Sequence, residues 1–96
     1  MKQNRNDFIA ATPGILGGRP RIRDTRISVS AIACRYRHGY SAEDIADQYD
    51  HLDLAQIYSA LAWYHANRAE TDADIFTEEA EYERLAAEHS RLSLCA

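Results

Sequence analysis

A mainly α fold is what this sequence predicts: a helix-turn-helix core behind a short N-terminal β-arm, with an additional C-terminal helix. Three observations lead there. Apolar residues recur at helical spacing between residues 29 and 65, each such stretch follows a residue suited to cap a helix, and the first third is instead punctuated by Pro13-Gly14 and Gly17-Gly18. The chain has 96 residues with 46% apolar content, which suits one small globular domain and is too apolar for a disordered segment.

The arm is predicted first. Phe8 to Thr12 reads as a strand ended by Pro13-Gly14, and Arg19 to Arg23 as a returning strand. Asp24-Thr25 reads as a turn, because aspartate tolerates left-handed backbone better than most residues. A helix then runs from a cap at Ser28 or Ser30 to about His38, with Gly39 at its stop and Val29, Ile32, Ala33 and Tyr36 as its inner stripe. Ser41 opens a second helix with Asp44 in a capping box, burying Ile45 and Tyr49. Asp53 caps a third from Leu54 to about Arg68, whose expected inner stripe is Leu54, Ile57, Tyr58, Leu61 and Tyr64 or His65. Trp63 and Tyr64 follow that stripe into core or dimer packing. Asn67 to Asp74 carries no apolar period and reads as linker, and Thr77 caps a fourth helix with a thin stripe of Tyr82, Leu85, Ala86, His89 and Leu92. The organisation is therefore residues 1–68 as β-arm plus helix-turn-helix domain, and residues 69–96 as acidic linker and interaction helix.

Charge divides the chain. The net charge of −4 conceals +6 over residues 1–40 and −10 over residues 41–96. Arg19, Arg21, Arg23 and Arg26 fall within eight residues, and in an extended segment the first three leave on one side while Ile22 points to the other. Such a comb is a candidate footprint for nucleic acid, joined by Arg35 and Arg37 of the first helix and by Gln56 and Ser59 of the third. The competing reading pairs the arginines with the chain's own acids, Glu43, Asp44 or Asp47, and Arg26 is expected to be structural. The third helix offers few bases and its predecessor is acidic, so DNA affinity would come mainly from the arm.

Other chemistries find little support. No histidine pairs at i,i+4 or with a cysteine at ligand spacing, which argues against a metal site. No nucleophile motif or phosphate loop is visible, so no catalysis and no cofactor are expected. Cys34 and Cys95 show no redox spacing, and no apolar run approaches the roughly 20 residues of a membrane span. A cytoplasmic, reduced protein is expected.

Two blocks carry a resemblance. Pro13-Gly14, Gly17 to Arg23, Thr25-Arg26-Ile27 and Val29, then Gly39 to Ile45, Tyr49 and Leu54 to Ala62, are similar to domain-of-unknown-function family 433. Asp24 stands where that family usually has glycine, and Asp50 where it usually has proline. The resemblance implies a homeodomain-like core, usually a homodimer, and an antitoxin role beside a PIN-like nuclease toxin. The helical domain would then bind operator DNA and the tail would cover the toxin. Ile75, Phe76, Tyr82 and Leu85 are the expected apolar anchors on the toxin, with Arg84 and Arg91 offered to its metal-binding acids. A stand-alone transcriptional regulator and a protein-interaction module without DNA binding are the alternatives.

Overall fold

A computed structural model describes residues 7–89. The arm is a two-stranded antiparallel sheet, β1 (Ile9–Ala10) against β2 (Arg21–Ile22), with Ile9 opposite Ile22 and Ala10 opposite Arg21. The strands are shorter than the sequence suggests. The connection turns at Pro13-Gly14 and again in a short 3-10 turn at Leu16–Gly18. Asp24 has φ 66, so the turn is left-handed, a conformation that glycine adopts freely and aspartate tolerates better than most residues. Two backbone bonds, Ile22 N to Ile27 O at 2.9 Å and Val29 N to Pro20 O at 3.0 Å, then tie the arm to the first helix.

The caps position the core. Ser28 Oγ accepts from Ala31 N at the head of α1 (Val29–Arg37), and Gly39 follows it with φ 99. Ser41 and Asp44 form a reciprocal capping box on α2 (Ala42–Gln48). Asp53 and Gln56 form another on α3 (Leu54–Ala66). Ile22 from the arm, Val29, Ile32 and Ala33 from α1, Ile45 from α2, and Ile57, Ala60, Leu61 and Tyr64 from α3 make the core.

Beyond α3 the structure departs from expectation. Residues 68–89 form one helix, α4 (Arg68–His89), and the segment read as a linker is its first two turns. The break from α3 is a single residue, Asn67 (φ −136, ψ 49), whose side-chain amide donates to Trp63 O at 3.0 Å. Thr71 and Ile75 lie on the side of α4 that faces the body, both almost fully buried, and α4 packs mainly along α1. With one strong apolar residue on that face, no period was visible in sequence. Polar contacts supply the rest. Asp72 Oδ1 accepts from the Tyr64 hydroxyl and from Arg37 Nη1, each at 3.3 Å, so one carboxylate links α1, α3 and α4. Among the described residues no helix is long and apolar enough to cross a membrane. Cys34 is buried and carries no free thiol, so the expectation of a reduced chain is not met at that position. Cys95 and Leu92 lie outside the described residues.

Candidate interaction surfaces

The arginine comb does not exist as a single face. β2 is only two residues long and the chain leaves it through the left-handed turn at Asp24, so alternation is not sustained. Arg19 turns toward α4, where Nη1 meets Glu78 Oε2 at 3.0 Å and Nε stands 3.9 Å from Asp74. Arg21 is 9% exposed; its Nε donates to Thr25 O at 3.0 Å and its Nη1 to Thr12 Oγ1 at 3.1 Å. It holds the β-turn together and is withdrawn as a DNA contact. Arg23 is exposed and donates to the carbonyls of Asp7 and Ile9. Arg26, expected to be structural, is instead exposed and makes no hydrogen bond or ion pair among the described residues.

The other expected DNA contacts are also engaged. Arg35 Nε donates to Gln48 Oε1 at 2.8 Å and its guanidinium lies 5.4 Å from the Tyr49 ring centroid. Arg37 pairs with Asp72. Gln56 Oε1 accepts from Asp53 N at 2.8 Å, which spends its side chain on the cap. Ser59 is half-buried. Arginine pairing within the chain is therefore real, and it runs to Asp72, Asp74 and Glu78 of α4.

Of the expected toxin anchors, Ile75 is 4% exposed and belongs to the core, so it cannot also meet a partner. Phe76 is the reverse, 74% exposed, and Leu85 and Arg84 are exposed with Tyr82 half-buried. Arg91 lies outside the described residues.

The least expected surface is on α3. Its thirteen residues include no Asp, Glu, Lys or Arg. Leu54 and Tyr58, read as core, are 39% and 52% exposed, and with Ala55, Ala62, His65 and Ala66 they form one continuous outer arc. Tyr36 of α1 extends it, its ring edge-on to His65 at 5.6 Å between centroids. A helix apolar on both faces is ordinarily a covered helix. The sequence signal for this surface is the absence of charges from α3, and the buried stripe is Ile57, Ala60, Leu61 and Tyr64, without Leu54 and Tyr58.

Where α4 meets the arm, Glu78 is the central group. Ser30 Oγ lies 2.8 and 2.9 Å from its two carboxylate oxygens, and Arg19 holds one of them. Ser30 thus serves α4, leaving Ser28 as the α1 cap. Burial pushes the Glu78 carboxyl above its usual range; the Ser30 hydrogen bond and Arg19 pull it down, and Asp74 adds repulsion. A raised carboxyl pKa in the folded state means that the fold binds this proton more tightly than the unfolded chain does. Stability contributed at this site therefore falls as pH rises from near 4.5 through the raised value. In denaturant titrations across that window, wild type is expected to lose stability relative to Glu78→Gln as pH increases. A constant difference between the two proteins would remove the assignment.

These elements match known proteins in the order described. Residues 9–64 match the family described as "Protein of unknown function (DUF433)". The chain belongs to the DUF433 family. An uncharacterised relative, y4eO of Sinorhizobium fredii (strain NBRC 101917 / NGR234), is 33% identical over 61 residues, covering 64% of this chain and 28% of that protein. The chain thus spans little more than a quarter of that relative's length. The crystal structure of a DUF433 member from Anabaena variabilis ATCC 29413 is similar with a TM-score of 0.66 at 30% identity, over 73% of this chain and 68% of that one. The DUF433 match takes in the arm and the helices through Tyr64, so α4 lies beyond the matched residues.

Proposed function

We propose that this DUF433 protein is a non-catalytic, antitoxin-type interaction domain that works as a homodimer, with α3 as its dimer helix rather than a reader of DNA bases. The observation that carries this reading is the outer arc of α3, an exposed apolar surface without a formal charge. Base readout uses side chains that donate and accept in the groove and basic neighbours that hold the phosphates. Leu54, Ala55 and Ala62 supply neither ion pairs nor hydrogen bonds, and the Tyr58 hydroxyl is directed at Glu43 Oε2 at 3.5 Å. A surface of this kind fits against a copy of itself, since two-fold pairing brings like residues together and α3 itself contributes no like charges.

The partner beyond the dimer is proposed to be a PIN-like nuclease, taken up by the outer half of α4. Phe76 and Leu85 offer apolar contact there and Arg84 a cation for the nuclease's metal-binding carboxylates. A second reading, operator DNA held by the arm, is favoured by exposed Arg23 and by Arg26, which has no partner among the described residues. The homodimer is tested by mass in solution. Sedimentation equilibrium is expected to give twice the chain mass at about micromolar concentration, an affinity of roughly 8 kcal/mol, and a monomer throughout would overturn the reading.

A further inference from the structure

We propose that His65 makes the α3 surface an acid-sensitive interface, closed between two copies when the imidazole is neutral and opened when it is protonated; the switch rests on the homodimer reading above. α3 carries no Asp, Glu, Lys or Arg, and His65 is its one imidazole. At 3.6 residues per turn, His65 falls between the columns of Leu54 and Tyr58, inside the exposed arc. Its ring is edge-on to Tyr36 of α1 at 5.6 Å between centroids and tilted against Tyr64 at 5.3 Å. Among the described residues it makes no hydrogen bond or ion pair. The charges around this aromatic group are engaged with other partners. Arg68 of α4 lies over the Tyr64 ring, 5.2 Å from its centroid, and Asp72 accepts from the Tyr64 hydroxyl and from Arg37.

In a separate chain His65 is exposed, and water solvates either charge state of the ring. Pairing two α3 surfaces removes that freedom. An antiparallel two-fold pair centred between Tyr58 and Ala62 sets His65 of one copy near Leu54 and Ala55 of the other, and a parallel pair sets it against its own copy. In the first arrangement an imidazolium is dried against apolar side chains, and in the second two cations meet. A neutral imidazole suits both. The proton and the second copy therefore compete for the same surface. Association is fullest where the imidazole is neutral and is lost as pH falls through the range, about 7 to 5, in which histidine takes up its proton. Glu78 acts in the opposite direction, since stability contributed there falls as pH rises, so loss of the dimer on acidification is not loss of the fold at that site.

Sedimentation equilibrium of the full chain at about pH 7.5 and about pH 5.5 tests the switch, with circular dichroism to show that the helices persist. The dissociation constant is expected to rise about a hundredfold on acidification, since each of the two copies takes up a proton when they part. His65→Phe keeps an aromatic ring without a proton site and is expected to hold the dimer equally at both pH values. His65→Lys is expected to be monomeric at both. His51→Gln, at an exposed site on the turn before α3, is expected to keep the wild-type response. A wild-type dimer equally tight at both pH values would overturn the switch and leave the homodimer standing. So would a His65→Phe protein that keeps the wild-type response, or a His65→Lys protein that still pairs. A wild-type chain that is monomeric at the higher pH would overturn the homodimer and the switch with it.

Discussion

Ala62→Glu is expected to turn the proposed dimer into a monomer while leaving the fold standing. Ala62 is exposed near the middle of the α3 arc, one turn after Tyr58 and one turn before Ala66. Glutamate is nearly as good a helix former as alanine, and a substitution at an exposed site alters monomer stability by no more than about 0.5 kcal/mol. In the dimer each copy would place an unpaired carboxylate against an apolar surface. The expected weakening is at least about a hundredfold, or roughly 2.7 kcal/mol, with a larger effect where both charges are fully dried. Ala80→Glu, exposed on α4, is the matched control and is expected to leave association unchanged. Sedimentation velocity separates the outcomes, and an Ala62→Glu protein that still sediments as a dimer removes α3 from the interface.

Arg21→Ala is expected to cost about 2–4 kcal/mol of stability, whereas Arg26→Ala stays within about 0.5 kcal/mol. The two arginines are five residues apart and are chemically identical, so only their surroundings separate them. Arg21 places its guanidinium in a nearly dry site, where it bridges the Thr25 carbonyl and the Thr12 hydroxyl across the two ends of the arm. Truncation abandons both acceptors. Arg21→Lys is expected to recover little, because an ammonium cannot reproduce two divergent donors in one plane. Chemical denaturation of the three variants checks the order, and equal costs for Arg21→Ala and Arg26→Ala would contradict it.

The contrast between those arginines shows what local sequence can and cannot convey. Caps are local: Ser28, Ser41 with Asp44, and Asp53 each act on a backbone group within three residues, and the start of each of the first three helices was legible from them. The left-handed turn at Asp24 was legible for the same reason. Arg19 is a different case. Its partner Glu78 is 59 residues away, and no short-range pattern announces a pairing of that kind. Alternation along Arg19, Arg21 and Arg23 suggested one face only under the assumption of a sustained strand, and β2 ends after Ile22. The first turns of α4 were hidden because their attachment is mostly polar, with Asp72 holding Arg37 and Tyr64, and Ile75 as the one strong apolar contact. On α3 the composition carried the message and the periodicity obscured it. Leucine and tyrosine at helical spacing suggest an inner stripe, but the absence of Asp, Glu, Lys and Arg from α3 leaves both of its sides largely apolar.

The decisive measurement is an amide spectrum of the full chain followed first through dilution and then with duplex DNA added at low salt. Dilution is predicted to move the amides of Leu54, Tyr58, Ala62 and Ala66 together as the α3 interface opens, with the same midpoint after salt is raised to about 0.5 M, where exposed charges are screened but apolar contact is not. DNA is predicted to leave those amides in place and to disturb only the arm around Arg23 and Arg26. The account is contradicted if DNA moves the α3 amides first and dilution does not move them.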